Sequence, residues 1–289
     1  MSTAGRLAGT KWTGATIHGG MRRSLGQNMF QIDTHFHVFS ADAPAVGGAR
    51  YRPAYGASLA QWQAISGAHG VRAGVVVQPS FFGSDNSELE AALAASPALR
   101  GVCVVGPEAS VGELARLHGL GVRGLRWNMV GRHNDASWRD ARWPALLEAA
   151  HALGWHLELH TDPGRLFELQ AWLPSVPIAL VLDHFGKPAS GVQADAPMLA
   201  CAAHWRGQRE VYVKLSAPYR VAADLAGVVT GWHHCLGEQG LLWGSDWPWT
   251  NHEAEAGYAG MQRKVWEWLG PLCEAPDRNA ARLFGLPAA

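Results

Sequence analysis

Eight short apolar segments recur along this chain at a steady interval, and they limit its possible folds more than any other feature of the sequence. In chain order they cover residues 30–38, 73–80, 99–106, 121–128, 156–162, 178–186, 211–217 and 241–248. Most are rich in Val, Ile or Leu and nearly continuous in hydrophobicity, which is typical of parallel strands covered by helices. Helix-compatible stretches lie between them, among them residues 87–95, 111–120, 143–153, 165–172 and 225–239.

The spacing of these segments favours a closed barrel over an open sheet. Successive segments start about 30 residues apart, close to the spacing of a (β/α)8 TIM barrel that fits eight units into roughly 250 residues. An open doubly wound sheet needs a glycine-rich turn after its first strand, whereas the first segment here ends in His-Phe-His-Val-Phe. We therefore predict a single α/β barrel domain over residues 29–289, with a terminal helix at residues 278–286 that covers the barrel.

The first 28 residues differ from the rest of the chain. Their charged residues are all basic, at Arg6, Lys11, Arg22 and Arg23, and they lack the apolar run of a secretory signal. We predict that residues 1–28 form a poorly ordered N-terminal extension.

The charge balance limits the possible partners. The 289 residues carry 24 Lys and Arg against 24 Asp and Glu, so no net field would hold the protein on nucleic acid or on an anionic membrane. No apolar stretch approaches the roughly 18 to 20 residues that a membrane-spanning helix needs. We expect a small-molecule partner, and the sequence leaves open whether the protein forms an oligomer.

The four cysteines lie far apart, at Cys103, Cys201, Cys235 and Cys273, and form no C-x-x-C pair. This distribution argues against a thiolate zinc site and against a disulfide framework. Reduced cysteines are typical of a cytoplasmic protein, and the cytoplasm is the location that we predict.

The first predicted strand contains the motif Asp33-Thr-His35-Phe-His37. Regular strand alternation would place Asp33, His35 and His37 on one face of the strand, so two imidazoles would project together. A His-x-His pair at the carboxyl end of a strand can offer two nitrogen ligands to one divalent ion. Two polar histidines beside a loop would produce the same pattern without any metal.

Three other predicted strands also end in polar residues. His160 closes the fifth strand and should share its inward face with Glu158. Asp183 and His184 interrupt the apolar sixth strand, and Asp246 ends the eighth. A charged group inside a core strand is costly without a partner. One such residue is more often structural, but four strands with potential ligands at their carboxyl ends indicate an active site, because barrel enzymes assemble their sites there.

These positions resemble the pattern of the amidohydrolase superfamily. The resemblance implies that His35, His37, His160 and Asp246 surround one divalent metal ion, Zn²⁺ or Mn²⁺, and that His184 does acid/base work or polarises the substrate. The fourth predicted strand carries no ligand-type lysine, which disfavours the two-metal branch of the superfamily.

The closer likeness is to the family of 2-pyrone-4,6-dicarboxylate hydrolases and related lactonases, and it extends over nearly the whole chain after Met29. The matching segments are residues 50–53, 83–86, 121–128, 183–188 and 243–248, with Arg220. The resemblance implies that the substrate-binding residues are Tyr51, Ser80, Arg126, Arg132 and Arg220. Guanidinium groups suit planar carboxylates, so we expect an anionic substrate, although Arg132 and Arg220 could equally be solvated loop residues.

One position departs from that family. Its members can work without a bound metal and have an aromatic residue where this chain has His160. The complete set of ligands here makes the sequence more similar to the metal-dependent lactonases. The sequence does not decide whether the enzyme also works without a metal.

We therefore expect a hydrolase that acts on a carboxylic ester bond in a lactone, such as 2-pyrone-4,6-dicarboxylate, a muconolactone or a sugar-acid lactone. A metal would lower the pKa of a water molecule, Asp246 would accept its proton, and His184 would polarise the carbonyl. One alternative is a metal-dependent decarboxylase of an aromatic or muconate-type acid, which would release CO₂. A second is a binding protein that keeps the barrel without turnover.

Overall fold

Parallel strands, paired in chain order from β1 to β8, form the centre of the structure. This computed structural model describes residues 29–47, 49, 51–131, 137–173, 176–188, 196–221 and 224–287. The strands are β1 (Ile32–Phe36), β2 (Ala73–Val77), β3 (Leu99–Cys103), β4 (Val122–Asn128), β5 (His156–His160), β6 (Ala179–Leu182), β7 (Val211–Leu215) and β8 (Leu241–Trp243). Each lies within one of the eight predicted apolar segments.

The sheet closes on itself between its first and last strands. Phe36 pairs in parallel with Trp247, just beyond β8. Asp246 N donates to His35 O at 2.8 Å, and His37 N donates to Trp247 O at 2.9 Å. The sequential order and this closure confirm the predicted (β/α)8 barrel. They exclude the open doubly wound sheet, whose strand order reverses at a switch point.

Helices alternate with the strands and cover the outside of the barrel. They are α1 (Leu59–Ala68), α2 (Ser87–Ala95), α3 (Val111–Leu120), α4 (Trp143–Ala152), α5 (Pro163–Trp172), α6 (Ala196–Arg206), α7 (Leu225–Leu236), α8 (Tyr258–Leu269) and α9 (Ala275–Phe284). Local sequence sets several starts: Ser58 and Gln61 form a capping box for α1, and Ser110 accepts a hydrogen bond from Glu113 N at the start of α3.

The barrel interior at the amino ends of the strands is apolar and is closed by the terminal helix. Val75, Val102 and Leu242 are fully buried there, and Phe284 of α9 packs in the same cluster. The Asp277 carboxylate accepts hydrogen bonds at 3.0 Å from the backbone N–H groups of residues 31 and 32. The predicted terminal helix therefore does cover the barrel, at the end opposite the site residues.

Two further predictions concern the ends of the chain and membranes. Residues 1–28 lie outside the described residues, so their proposed disorder stays a prediction. In the part of the chain that the structure describes, no helix has both the length and the apolar character required to cross a bilayer.

Candidate active site

The first strand brings two histidines together, but not by regular alternation. Its pairing register with β2 shifts between Asp33 and Phe36, so β1 carries one extra residue there. The rings of His35 and His37 do lie together, with centroids 5.0 Å apart. The prediction that Asp33 shares their face is wrong, because the register shift turns its side chain towards the outer helices.

Asp33 instead links the first and last strands of the barrel on the side that faces the outer helices. Its buried carboxylate accepts hydrogen bonds from Trp62 Nε1 in α1 at 3.1 Å and from the Tyr258 hydroxyl in α8 at 2.9 Å. It also accepts from Ser245 Oγ at 2.6 Å and from Ser245 N at 2.8 Å. These contacts fix the backbone that precedes Asp246.

Three imidazoles converge on one oxygen of Asp246. Its Oδ1 atom lies 3.5 Å from His37 Nε2, 3.6 Å from His35 Nε2 and 3.8 Å from His184 Nε2. We call these four residues the histidine–aspartate cluster. His184 follows β6 and Asp246 follows β8, so the cluster lies at the carboxyl ends of the strands, where barrel enzymes carry their catalytic groups.

The outward-facing nitrogens of the histidines are engaged by other groups. His37 Nδ1 lies 2.7 Å from Val77 O, and since a carbonyl only accepts, Nδ1 carries a proton and Nε2 is the nitrogen that faces the cluster. His184 Nδ1 lies 2.8 Å from Ser216 Oγ. The nitrogen of His35 that faces Asp246, Nε2, is buried and has no hydrogen-bond partner among the described residues.

This set of donor atoms fits one divalent metal ion. Imidazole nitrogens and a carboxylate oxygen are ligands that Zn²⁺ takes in proteins, and the ligand atoms of His35, His184 and Asp246 lie within 4.8 Å of one another. The orphaned Nε2 atom of His35 supports the fit, because a buried polar atom normally has a partner. The carbonyl contact of His37 Nδ1 is of the kind that orients a metal-binding histidine.

His160, the predicted fourth ligand, lies beside the cluster. Its ring centroid is 4.8 Å from that of His184, and the group of potential ligands that contains it is completed by Asp183 and His184. The predicted ligands His35, His37 and Asp246 are thus brought together, and the imidazole that joins them at Asp246 Oδ1 is that of His184.

Left-handed backbone conformations at the strand ends aim these side chains. Asp246 has a φ of 56°, His184 a φ of 51°, and Ala217 after β7 a φ of 50°. Residues other than glycine rarely adopt this region, and such strain is concentrated at functional sites. The alternation of a strand therefore does not predict where His184 and Asp246 point.

The second oxygen of Asp246 is held by two side chains from the turn after β7. The Tyr219 hydroxyl donates to Oδ2 at 2.6 Å, and Arg220 Nε donates to it at 2.8 Å. Burial alone would raise the pKa of Asp246, but the charge of Arg220 and the neighbouring histidines hold that pKa well below its usual range. Asp246 is therefore a carboxylate at neutral pH.

The buried imidazoles are neutral. Burial lowers the pKa of His35 and the pKa of His184 to about 3 each, in spite of the carboxylates nearby. Burial also lowers the pKa of His160 well below its ordinary value. Neutral imidazoles can offer a lone pair to a metal or a hydrogen bond to a substrate.

A cavity of about 180 Å³ opens beside the cluster. The predicted site residues in its wall are His37, Tyr51, Ser80, Arg126, His160, His184, Arg220 and Asp246. Thr250 and Asn251, from the loop after β8, also line it, and His35 lies fully buried close by. The predicted Arg132 lies outside the described residues.

Arg126 reaches the cavity wall from β4 while two carboxylates hold it. Its Nε and Nη2 atoms lie 3.1 and 2.9 Å from Asp183 Oδ2, and Nε lies 3.4 Å from Glu158 Oε1. Its Nη1 atom donates to Gln78 O at 3.3 Å, so the hydrogen bonds of Arg126 engage three of the five N–H donors that an arginine has. Glu158 points into the barrel, as the strand alternation predicted for β5.

Sequence patterns did not point to Lys214, Ser216 or Tyr219. Lys214 did carry a signal, because a lysine in the otherwise apolar segment Val-Tyr-Val-Lys-Leu needs a buried partner. Ser216 and Tyr219 lie beyond the end of β7 and show no periodicity that could have singled them out.

Comparisons with known proteins find relatives that match most of this chain. A family model described as Amidohydrolase matches residues 32–289. The 2-pyrone-4,6-dicarboxylate hydrolase of Comamonas testosteroni is 32% identical over 283 residues, which cover 88% of this chain and 89% of that relative. The 4-sulfomuconolactone hydrolase of Rhizobium radiobacter is 27% identical over 278 residues, with 88% and 89% covered.

A solved structure shows the same similarity in three dimensions. It is the crystal structure of a probable 2-pyrone-4,6-dicarboxylic acid hydrolase from Acinetobacter baumannii with citric acid bound. The two structures align with a TM-score of 0.81 at 30% sequence identity, and the alignment covers 90% of this chain and 100% of the other.

Proposed function

Because this chain belongs to the amidohydrolase family, we propose that it hydrolyses a lactone that carries at least one carboxylate. Two of its relatives are named for the hydrolysis of a pyrone dicarboxylate and of a sulfonated muconolactone. The proposal covers 2-pyrone-4,6-dicarboxylate itself, a muconolactone or a sugar-acid lactone.

One observation carries this proposal. Asp246 Oδ1 faces three imidazoles, and the adjoining cavity has Arg126 and Arg220 in its wall. The first feature suits the activation of water beside a carbonyl group, and the second suits the recognition of a carboxylate by guanidinium groups. A lactone with a carboxylate needs both in one pocket.

We assign His35, His37 and Asp246 as metal ligands. The family resemblance favours His160 as the fourth ligand, whereas the 3.8 Å distance between His184 Nε2 and Asp246 Oδ1 supports His184 in that place. A bound Zn²⁺ or Mn²⁺ would lower the pKa of a water molecule and polarise the lactone carbonyl. The proposal therefore includes a divalent metal, with zinc preferred for its affinity for imidazole.

The protein's own groups move the proton. Asp246 Oδ1 accepts the proton of the attacking water and returns it to the ring oxygen that leaves when the ester bond breaks. Tyr219 and Arg220 hold the other oxygen, so the carboxylate keeps one orientation during the transfer. His160, in the cavity wall, can donate a hydrogen bond to the carbonyl oxygen as negative charge develops there. That role passes to His184 if His160 is the metal ligand.

The rest of the cavity wall holds the substrate. Arg126 and Arg220 supply guanidinium groups for carboxylates, and Tyr51 and Ser80 supply hydroxyl groups. Arg132 belongs with them in this proposal on the family resemblance alone. We place the activity in the cytoplasmic breakdown of aromatic compounds, consistent with the pyrone and muconolactone substrates for which the relatives are named.

The test is a turnover screen of lactones with and without carboxylates, using protein supplied with Zn²⁺ or Mn²⁺. Ring opening of a carboxylated lactone supports the proposal. Release of CO₂ from an aromatic or muconate-type acid would instead support the decarboxylase alternative. Ligand binding without turnover, even with metal supplied, would indicate a silent binding protein.

A further inference from the structure

A second cavity, of about 330 Å³, adjoins the one beside the histidine–aspartate cluster. Among the described residues, Arg126 and Asn128 of β4 line both cavities. The rest of its wall comes mainly from the loops after β2 and β3 and from the segment between β4 and α4. We call this space the side cavity and the one beside the cluster the site cavity.

The site cavity is small for a ligand pocket. Such pockets usually enclose about 300 to 1,000 Å³, whereas the site cavity encloses about 180 Å³. That volume suits a single small ring, and the side cavity has room for a group attached to the ring. At the boundary Asp183 holds Arg126, but Asn128 Oδ1 has no hydrogen-bond partner among the described residues. Asn128 is thus the less constrained of the two side chains that separate the cavities.

Three tryptophans form an aromatic wall of the side cavity. Trp127 and Trp143 pack edge to face with ring centroids 4.8 Å apart, and both Trp127 and Trp138 contact Trp172. The three wall residues, Trp127, Trp138 and Trp143, are each at most 7% exposed. Their mutual packing holds them in place, so a planar apolar group can bury area against them without the cost of ordering side chains.

The charged residues of the described wall lie at different depths. Arg126 is buried where the two cavities meet, whereas Glu108 is exposed on the loop after β3. A side chain at position 106 would collide with the Glu108 carboxylate, so this carboxylate lies folded back over the backbone of Gly106. A carboxylate on a group in the side cavity would be repelled by Glu108, whereas an uncharged group would not.

We propose that the side cavity binds an uncharged aryl substituent of the substrate, and that Glu108 disfavours substrates with a carboxylate on that substituent. This inference rests on the proposed function, because the lactone ring and its own carboxylates would occupy the site cavity. It extends the substrate class to carboxylated lactones that carry an aryl group.

The binding of ring acids that cannot be hydrolysed tests the proposal without turnover. Isophthalate has two carboxylates on one six-membered ring, and each of its three singly phenyl-substituted forms adds one aryl group. Isothermal titration calorimetry on protein supplied with Zn²⁺ gives the dissociation constants. At least one phenyl form should bind about tenfold or more tightly than isophthalate, because of the apolar area that it buries. The proposal is wrong if no phenyl form does so, or if none of the four ligands binds.

A bulky substitution in the side cavity shows where the phenyl group binds. Ser84 is an exposed residue of the side-cavity wall, and Ser84→Trp would fill the space with an indole. The advantage of the best phenyl form over isophthalate should disappear in this variant. It should persist in the matched control Ser87→Trp, at an exposed residue of α2 outside both cavity walls. An advantage that persists in both variants would place the phenyl group elsewhere and overturn the proposal.

The role of Glu108 is tested with a phenyl form that carries a further carboxylate on its phenyl group. At low ionic strength this ligand should bind about threefold or more weakly than the best phenyl form. Glu108→Gln should remove most of that difference, whereas Glu148→Gln, at an exposed residue of α4, should keep it. An equal difference in the two variants would contradict the role of Glu108. None of these measurements requires hydrolysis, so a failure of the proposed function would be seen separately in the lactone screen.

Discussion

Arg220 Nε donates a 2.8 Å hydrogen bond to Asp246 Oδ2, so the arginine expected to hold the substrate already contacts the aspartate expected to move the proton. Arg220 Nη2 also donates to Thr250 O at 2.9 Å, which fixes the guanidinium between two loops. The contact orients Asp246 with Oδ1 towards the imidazoles. In the proposed function it would also couple substrate binding to proton transfer, because a substrate carboxylate that drew Arg220 away would make the Asp246 carboxylate more basic.

The first prediction concerns Asp246 itself. Asp246→Asn keeps the shape of the side chain but cannot accept a proton, so kcat should fall by about 10² or more, the scale of general acid/base catalysis. Steady-state kinetics measure the change, and thermal unfolding checks that the fold is kept. Asp140→Asn, at a surface pair with Arg142, is the control and should leave kcat unchanged. Near-normal turnover of Asp246→Asn would remove Asp246 from the mechanism.

The second prediction concerns Arg126. Arg126→Met should raise KM for a carboxylated lactone about tenfold or more relative to a neutral one, because a hydrogen bond to a charged group is lost. Stability should also fall, by about 3 kcal/mol, since Asp183 loses its buried partner. Arg116→Met, in a surface ion pair, controls for loss of charge. Equal effects on both substrates would make Arg126 purely structural.

The third prediction separates the two candidate fourth ligands. Because His184 Nε2 lies near Asp246 Oδ1, His184→Phe should lose most of the bound metal, while His160→Phe should keep it and lose activity. Metal content after purification without chelator measures both, with the exposed His151→Phe as control. Loss of metal in His160→Phe alone would restore the ligand set that the family resemblance implies.

The fourth prediction concerns pH and stability at the other end of the barrel. Burial raises the pKa of Asp277 to about 6 in the folded protein, against 3.8 for a free side chain. Folding thus favours the protonated form of Asp277. The stabilisation that results is fully present below pH 3.8 and is lost as pH rises through about 6.

Asp277→Asn cannot titrate and should lack this dependence. The stability of the unsubstituted protein relative to Asp277→Asn should therefore fall by about 2 kcal/mol between about pH 4 and pH 7. Denaturant unfolding of both proteins across that range measures the difference. A difference that stays constant with pH would show that Asp277 does not titrate there.

The sequence predicted the barrel because its signal is repeated in every strand. Apolar runs at regular spacing report burial on both faces of a parallel sheet, and each run contained a strand. The bulge in β1 was not predictable, since alternation assumes regular pairing, and Asp33 was therefore placed on the wrong face. A register shift depends on the neighbouring strand, which the local sequence does not describe.

The site was predictable in its residue types more than in its geometry. Polar residues at the ends of apolar strands indicated His184 and Asp246, but their left-handed backbone decides which atoms meet. Tyr219 contacts Asp246 only because the turn after β7 folds over the site, and no spacing in the sequence reports that contact. Lys214 could have been found from its charge within an apolar strand.

The most direct test of the central claim follows the oxygen atom of water. The enzyme, loaded with Zn²⁺, is incubated with 2-pyrone-4,6-dicarboxylate or the best lactone from the screen in water labelled with heavy oxygen. Mass spectrometry then determines the products. Hydrolysis at Asp246 and its imidazoles predicts an open-chain acid with one labelled oxygen in its new carboxylate and no CO₂. Release of CO₂, or a ring-opened product without label, would contradict the account.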